Sequence, residues 1–553
     1  MRTIAAWLSV SFVLVAVSMS CSAQESSKFE IDQLRAQMEK QQVRIEALES
    51  ALAAQQQLLI RFVSANREQA ILISPVDSSI ANLKNAVYEV QRQENTMPQP
   101  EPRTQLPETR KVEDELQRGP EIANITPTTP ALSLGPAKLR FIGYAALSNV
   151  YRSTNAGGNV ATGFGSLPFD STVAGNTSEF RFSAQNSRLA LRADADLKSS
   201  KVAGYFEIDF LGQVPGNVAA AGPSNYGPRM RQAWFDFNKG KWEITGGQLF
   251  SLITPLKNAI SPWPGDVSIT QVIDQNFVAG LVWGRSPQVR IVYHYSDAVS
   301  FGVSAENPEQ QVGSSVVFPS ALASTLDAQY NTGSQGLSIP NAAPDFLVKV
   351  SFDGKLADHA THIDIGGLMR EFRNYAPFEG NGISGHNYGF GVGGNVNTTF
   401  DLTKGFRLVL NAFAGSSAGR YIGGLVTDVI VRANGQISPI KSYSWVTGLE
   451  VAPSTRTGFY VYYSGLYGQK NVARDTDGSF IGWGFPGASN AADRNVQEIS
   501  PGFSHTFWKQ ENLGSVQLGV QYAYVFLHPW VAGSGPRNAQ THMVLGQIRY
   551  NLP

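Results

Sequence analysis

From about residue 139 onward, apolar side chains recur at every second position, in segments of roughly ten residues, the length of a membrane-crossing strand. Leu189, Leu191 and Ala193 alternate with Arg188, Ala190, Arg192 and Asp194. Val202, Phe206, Ile208 and Phe210 alternate with Glu207 and Asp209; Trp242 and Ile244 flank Glu243; Phe406, Leu408 and Leu410 flank Arg407. A period of two places one set of side chains on each face of a strand. The pattern predicts strands at 139–151, 179–195, 201–211, 229–238, 241–250, 277–296, 298–307, 344–354, 359–375, 386–402, 405–416, 441–452, 456–467, 495–508, 514–528 and 541–552. Tight turns such as Lys198-Ser199, Lys239-Gly240 and Lys404-Gly405 alternate with long loops near 152–178, 212–228, 251–276, 308–343, 376–385, 417–440, 468–494 and 529–540. An even strand count with this alternation is the topology of an antiparallel outer-membrane barrel, short turns in the periplasm and long loops outside. The expected fold is an all-β transmembrane barrel of about 16 antiparallel strands, preceded by an α-helical coiled coil. Within 277–296, Gly284 and Pro287 interrupt the alternation and point to a bulge or two shorter strands.

The segments before the strands read differently. Arg2, the apolar run Trp7 to Val17 and the small pair Ser22-Ala23 give a signal peptide over 1–23. The single cysteine, Cys21, falls inside it. Ser18-Met19-Ser20 is a poor lipoprotein approach, so acylation of Cys21 is the lesser reading. Over 28–95, Ile31, Leu34, Met38, Gln41, Ile45, Leu48, Leu52, Gln55, Leu59 and Phe62 step alternately by three and four, and Ile80, Leu83, Val87 and Val90 resume after Pro75. That spacing predicts a coiled-coil stalk, the alternative being an amphipathic helix lying on the barrel. Residues 96–138 carry many prolines among charged residues and threonine and form a linker; the barrel occupies 139–553.

Composition narrows the chemistry. Among 553 residues, 44 Lys+Arg balance 44 Asp+Glu, so bulk charge offers no case for nucleic acid. Charged residues are 16% of the chain, below the roughly 25% of soluble domains. No cofactor motif or metal-ligand spacing is present. His359 and His362 lie three apart and point to opposite faces of a strand, as do the neighbours Ser504 and His505, so catalysis is not expected.

Ser187-Arg188-Leu189-Ala190-Leu191-Arg192-Ala193, Tyr205-Phe206-Glu207-Ile208-Asp209-Phe210-Leu211-Gly212, Arg231-Gln232-Ala233-Trp234-Phe235-Asp236-Phe237, Gly247-Gln248-Leu249-Phe250 and Ser304-Ala305-Glu306-Asn307-Pro308 occur in this order. With the coiled coil, linker and barrel, the chain resembles the DcaP-like trimeric porins of Gram-negative outer membranes. The resemblance implies a homotrimer, a sixteen-stranded pore and uptake of small anionic solutes, dicarboxylates among them. Barrels of that kind commonly end on an aromatic residue, whereas Tyr550 is followed here by Asn551-Leu552-Pro553.

Parity then names the candidate pore residues. Arg188 and Arg192 share one face, as do Arg290 and His294; His362, Asp364 and Arg370; and Arg407 and Asn411. An arginine ring would select carboxylates through its planar forks; paired with Glu207, Asp209, Asp236 and Glu243, the same arginines would instead stiffen the wall. Arg229 would sit at a vestibule. Arg231 shares parity with outward Ala233 and Phe235 and is expected outside. The loop 251–276, with Pro255, Pro262, Pro264, Trp263, Asp266 and Asp274, is expected to fold inward as a constriction. Trp242, Trp283, Phe459, Tyr463 and Tyr550 are expected at the membrane interfaces, against lipid and lipopolysaccharide. Besides a selective pore, two readings remain: a general diffusion pore, and an envelope tether whose coiled coil grips peptidoglycan or another periplasmic partner.

Overall fold

The computed structural model describes residues 130–553 except 157–159, 213–226, 270, 313–314, 331–340, 379–382, 487–491 and 531–537. The expected signal peptide, coiled coil and most of the linker lie outside the described residues.

Sixteen strands form one antiparallel wall: β1 (Ala137–Arg152), β2 (Glu179–Ser183 continued by Arg188–Leu197), β3 (Ser200–Gly212), β4 (Gly227–Lys239), β5 (Trp242–Phe250), β6 (Arg285–His294), β7 (Val299–Glu306), β8 (Asp345–Leu356), β9 (His359–Phe378), β10 (Ile383–Thr403), β11 (Phe406–Ser416), β12 (Lys441–Ser454), β13 (Thr457–Gly468), β14 (Asp493–Gln510), β15 (Gly514–Pro529) and β16 (Ala539–Asn551). Each strand pairs with its sequence neighbour, and β1 pairs with β16 from Tyr144↔Asn551 to Arg152↔Met543, so the sheet closes without an edge. Closure satisfies the backbone polar groups that hydrocarbon cannot. The two parts of β2 both pair with β1, and the step between them is held by Ser187, whose Oγ accepts from Ala146 N at 3.0 Å.

The tight turns explain themselves locally. Ala357 and Asp358 take φ of 48° and 67°, Gly240 62° and Gly405 76°, the left-handed conformations that match hairpin twist.

Burial is inverted relative to a soluble sheet. Phe141, Leu189, Phe206, Phe235, Val289, Phe346, Val348, Ile365 and Phe390 are exposed on the outside, while Glu207, Asp209, Lys349, Asp364, Arg370 and Glu498 are buried within. An apolar belt of this extent has only lipid or other subunits as a compatible environment. No helix among the described residues is long and apolar enough to cross a membrane.

The expected strand 277–296 needs correction. β6 begins at Arg285, and 277–284 belongs to the preceding loop. There Trp283 N donates to Tyr421 O at 2.8 Å, and Ala279 N donates to Glu498 Oε2 at 2.9 Å. Gly280 has φ +84°, and a Cβ on it would sit 2.1 Å from Gly465 O, so the loop runs against β13 where only glycine fits. Pro287 stays in β6 with its ring facing out; its carbonyl accepts from Asn307 N.

Candidate functional site in the barrel lumen

The loop 251–284, after the fifth strand, crosses the lumen. It begins with a hairpin-like fold: Lys257 N donates to Asp266 O at 2.7 Å and Ser268 N to Pro255 O at 3.0 Å. Wall side chains satisfy the rest of its backbone. Leu252 N donates to Glu306, Leu256 N to Asp364, Ala259 N to Asp353 and Ile273 N to Gln521, each at 2.8–3.0 Å. Asn395 and Asn397 donate to the carbonyls of Ile253 and Leu256, and Lys349 donates to Thr254 O at 2.7 Å. A loop without strand partners must find this many acceptors and donors to be buried at all. Leu256, Val267, Ile269, Phe277, Val278 and Leu281 then pack on Val409, Val446, Tyr460 and Tyr462 of β11–β13. The loop is therefore fixed to the β7–β15 side of the barrel.

At the hairpin tip, Trp263 reaches the opposite wall. Its ring lies 4.7 Å from Trp234 and 5.7 Å from Tyr205, and the Arg192 guanidinium sits 3.7 Å from its centre. Asp266 accepts from Ser261 Oγ at 2.5 Å. Asp274 accepts from the hydroxyl of Thr162 and from Asn276 N, tying the loop to the one after β1.

The arginines divide into groups. Arg192 and Arg140 share Asp194, Arg152 pairs with Glu179 at 2.9 Å, and Arg407 pairs with Asp401 at 2.8 Å. His294 joins Glu243 and Ser300, each at 3.0 Å. Arg290, 2% exposed, donates to the carbonyls of Phe250 and Ser261 and holds the loop's first turn. Arg370 is fully buried between Asp345 and Asp428 at 2.9 and 3.0 Å, and donates to the carbonyls of Ser417 and Glu309. Arg188 donates to Gln275 of the loop at 3.0 Å, and Arg549 to Gln517 at 2.6 Å. Both guanidinia lie over the Tyr144 ring, at 5.7 and 4.9 Å.

Two sequence expectations fail here. Arg231 faces inward, 3% exposed, bonded to Glu207 and to Asp209. The register shifts beside it, with Glu207 opposite Gln232 but Ile208 opposite Met230, and this bulge gives two successive inward side chains. Trp283 is not at a membrane interface; it packs with Phe250 and Phe277 inside the lumen. Among residues that parity reading passed over, Arg549 was recoverable: Thr541, Met543, Leu545, Gln547 and Arg549 form one buried face of β16.

Asp274 supplies a pH test. Burial holds its carboxyl above the usual range, opposed by the Thr162 hydroxyl and two backbone donors. The folded protein thus keeps a proton that the unfolded chain releases, so stability falls as pH rises from the ordinary carboxylate range toward the raised value. Asp274→Asn keeps an acceptor for Thr162 but cannot ionise. Urea unfolding in lipid vesicles is expected to show the variant gaining on the wild type as pH rises above the ordinary carboxylate range; parallel pH profiles would contradict this.

No family model matches the sequence, and no curated protein matches it. Among solved structures, the outer membrane channel DcaP of Acinetobacter baumannii superposes with a TM-score of 0.54 at 17% identity, covering 76% of this chain and 99% of that one. The barrel shares its fold with that structure. An anion-selective porin from Comamonas acidovorans is more distant, at TM-score 0.42 and 12% identity over 75% of this chain and 100% of that one. OmpT of Vibrio cholerae matches at 0.40 and 10%, over 76% and 99%. No group of His, Cys, Asp and Glu among the described residues could hold a metal ion.

Proposed function

We propose that this protein is a passive outer-membrane channel for small anionic and polar solutes, dicarboxylates among them, working as a homotrimer. The observation that carries the reading is the placement of Arg188 and Arg549. They border a narrow space of about 30 Å³ between the loop arm 271–277 and β1, β2 and β14–β16, which Tyr144, Gln517 and Gln547 also line. The loop fills the other side of the lumen, so a solute passes beside these guanidinia. Their planar forks suit carboxylates, and a low-dielectric wall strengthens the attraction. Arg192, Arg407 and His294 set the charge of the surrounding wall through ion pairs, whereas Arg290 and Arg370 act by holding loops in place. Of the loop residues, Trp263 wedges the constriction, Asp266 braces the hairpin by accepting from Ser261, and Asp274, which burial keeps toward its neutral form, ties the loop to the one after β1.

The periplasmic coiled coil over 28–95 would join three subunits, with lipid and lipopolysaccharide around the barrels. A tether to peptidoglycan predicts a different outcome: deleting 28–95 would abolish cell-wall attachment, whereas a channel keeps its conductance. In planar bilayers under a KCl gradient, the wild type is expected to open in steps of three with an anion-side reversal potential. Arg188→Gln with Arg549→Gln is expected to move that potential toward zero and to slow succinate entry into vesicles, while chloride-independent barrel assembly persists. An unchanged potential would remove these arginines from the selectivity step; absent conductance would leave the tether as the better reading.

A further inference from the structure

On the long-loop side of the inward loop lies a cavity of about 600 Å³, lined by Arg285, Arg420, Asp493, Trp283 and Trp483 together with turns of the surrounding loops. Two of its charged groups are incompletely matched by the protein. Asp493 is 3% exposed, and its Oδ1 has no hydrogen-bond partner. Gly165 lies so close that a Cβ there would be 2.9 Å from Asp493 Oδ2, so the carboxylate is walled in on that side by backbone. Arg285 makes no ion pair among the described residues; its guanidinium lies 5.6 Å from the Trp283 ring and 6.0 Å from the Phe250 ring, and its Nε is buried without a hydrogen bond. Arg420, by contrast, is matched by Glu309 at 3.3 Å and Asp345 at 3.2 Å.

A buried carboxyl group without a donor is costly, and one that also lines an open cavity calls for a partner from outside the chain. The cavity is lined by one such carboxyl group, by a guanidinium without an ion pair among the described residues, and by two indoles. We infer that this cavity is a binding site for small solutes carrying both an ammonium and a carboxylate, an amino acid or short peptide, with the ammonium at Asp493 and a carboxylate at Arg285. The inference rests on the channel reading and refines it: the vestibule sorts amine-bearing acids before they reach Arg188 and Arg549. Trp283 and Trp483 supply the apolar sides of the site, and the walls need no rearrangement to admit a molecule of this size.

Aspartate and succinate test it, because they share two carboxylates and a four-carbon chain and differ by the ammonium. Calorimetric titration of the detergent-solubilised full chain is expected to show aspartate binding about tenfold more tightly than succinate, the worth of one charge-assisted hydrogen bond. Asp493→Asn is expected to erase the difference, and Arg285→Gln to weaken both ligands. Each variant should retain the heat-dependent gel shift of an intact barrel. Equal binding by the wild type, or a preference that survives Asp493→Asn, would overturn the inference. Single-channel recording with the same two solutes keeps it separate from the channel reading: aspartate preference in calorimetry without any conductance would sink the channel and leave the binding site standing.

Discussion

Replacing residues 255–279 with a short glycine-serine link is expected to raise the unitary conductance severalfold and to weaken anion preference. The barrel should survive. Its strand ladders close without help from the loop, from β1 on β16 round to β15 on β16. The wall groups that lose loop partners, Asp364, Glu498 and Gln521, would face water in the widened lumen rather than an apolar interior, so those partners are replaced by solvent. Conduction depends on the narrowest cross-section, and the loop with its Trp263 contact to β2–β4 is what narrows it. Conductance in planar bilayers, with circular dichroism to verify strand content, measures the effect. An unchanged conductance would mean that ions pass elsewhere or that the cap of outer loops limits flow.

Arg370→Ala is expected to be the most destabilising single change in the lumen. The side chain is 1% exposed and joins β9 to two acids and two loop carbonyls. Asp345 also accepts from Tyr421 Oη at 2.9 Å, and Asp428 accepts from Gln311 N at 2.8 Å and Arg420 N at 3.0 Å. Truncation leaves Asp345 with the Arg420 guanidinium and the Tyr421 hydroxyl, and Asp428 with neutral backbone donors in place of its Arg370 ion pair. Breaking a buried pair in this way costs about 3–5 kcal/mol. Arg370→Lys restores a charge but reaches only some of these acceptors, since one ammonium cannot copy a planar fork. The readout is urea unfolding from lipid vesicles, with protease cleavage near 307–311 and 417–421 reporting release of the loops. Wild-type stability in Arg370→Ala would show that Arg420 alone neutralises both acids. This expectation also alters the role of Arg370: a residue placed on the lumen face by parity serves the architecture that shapes the lumen.

The sequence by itself determined the number of strands, their order, and which loops are long, because a two-residue period with turn signals is a local property written in consecutive side chains. It also set Arg188, Arg192, Arg290, His294, Arg370 and Arg407 on the faces that parity assigns, since parity fixes the face wherever pairing is regular. The inward course of the loop after β5 was expected from its place in a barrel that resembles sixteen-stranded porins, not from a pattern in its own residues. Tertiary structure decided everything that depends on irregular pairing or on which side chains meet across the lumen. Arg231 turned inward because one extra residue sits opposite Glu207–Ile208, and a bulge of that kind leaves no mark in the alternation of the strand itself. Residues 277–284 left the strand because Glu498 and Tyr421, distant in sequence, offer acceptors for their backbone. The separate fates of Arg370, locked between carboxylates, and of Arg188 and Arg549, set beside a narrow gap, follow from closure of the barrel. Closure brings β16 beside β1 and draws loops from five parts of the chain into one packed cluster, and no local pattern encodes which charges that meeting will neutralise.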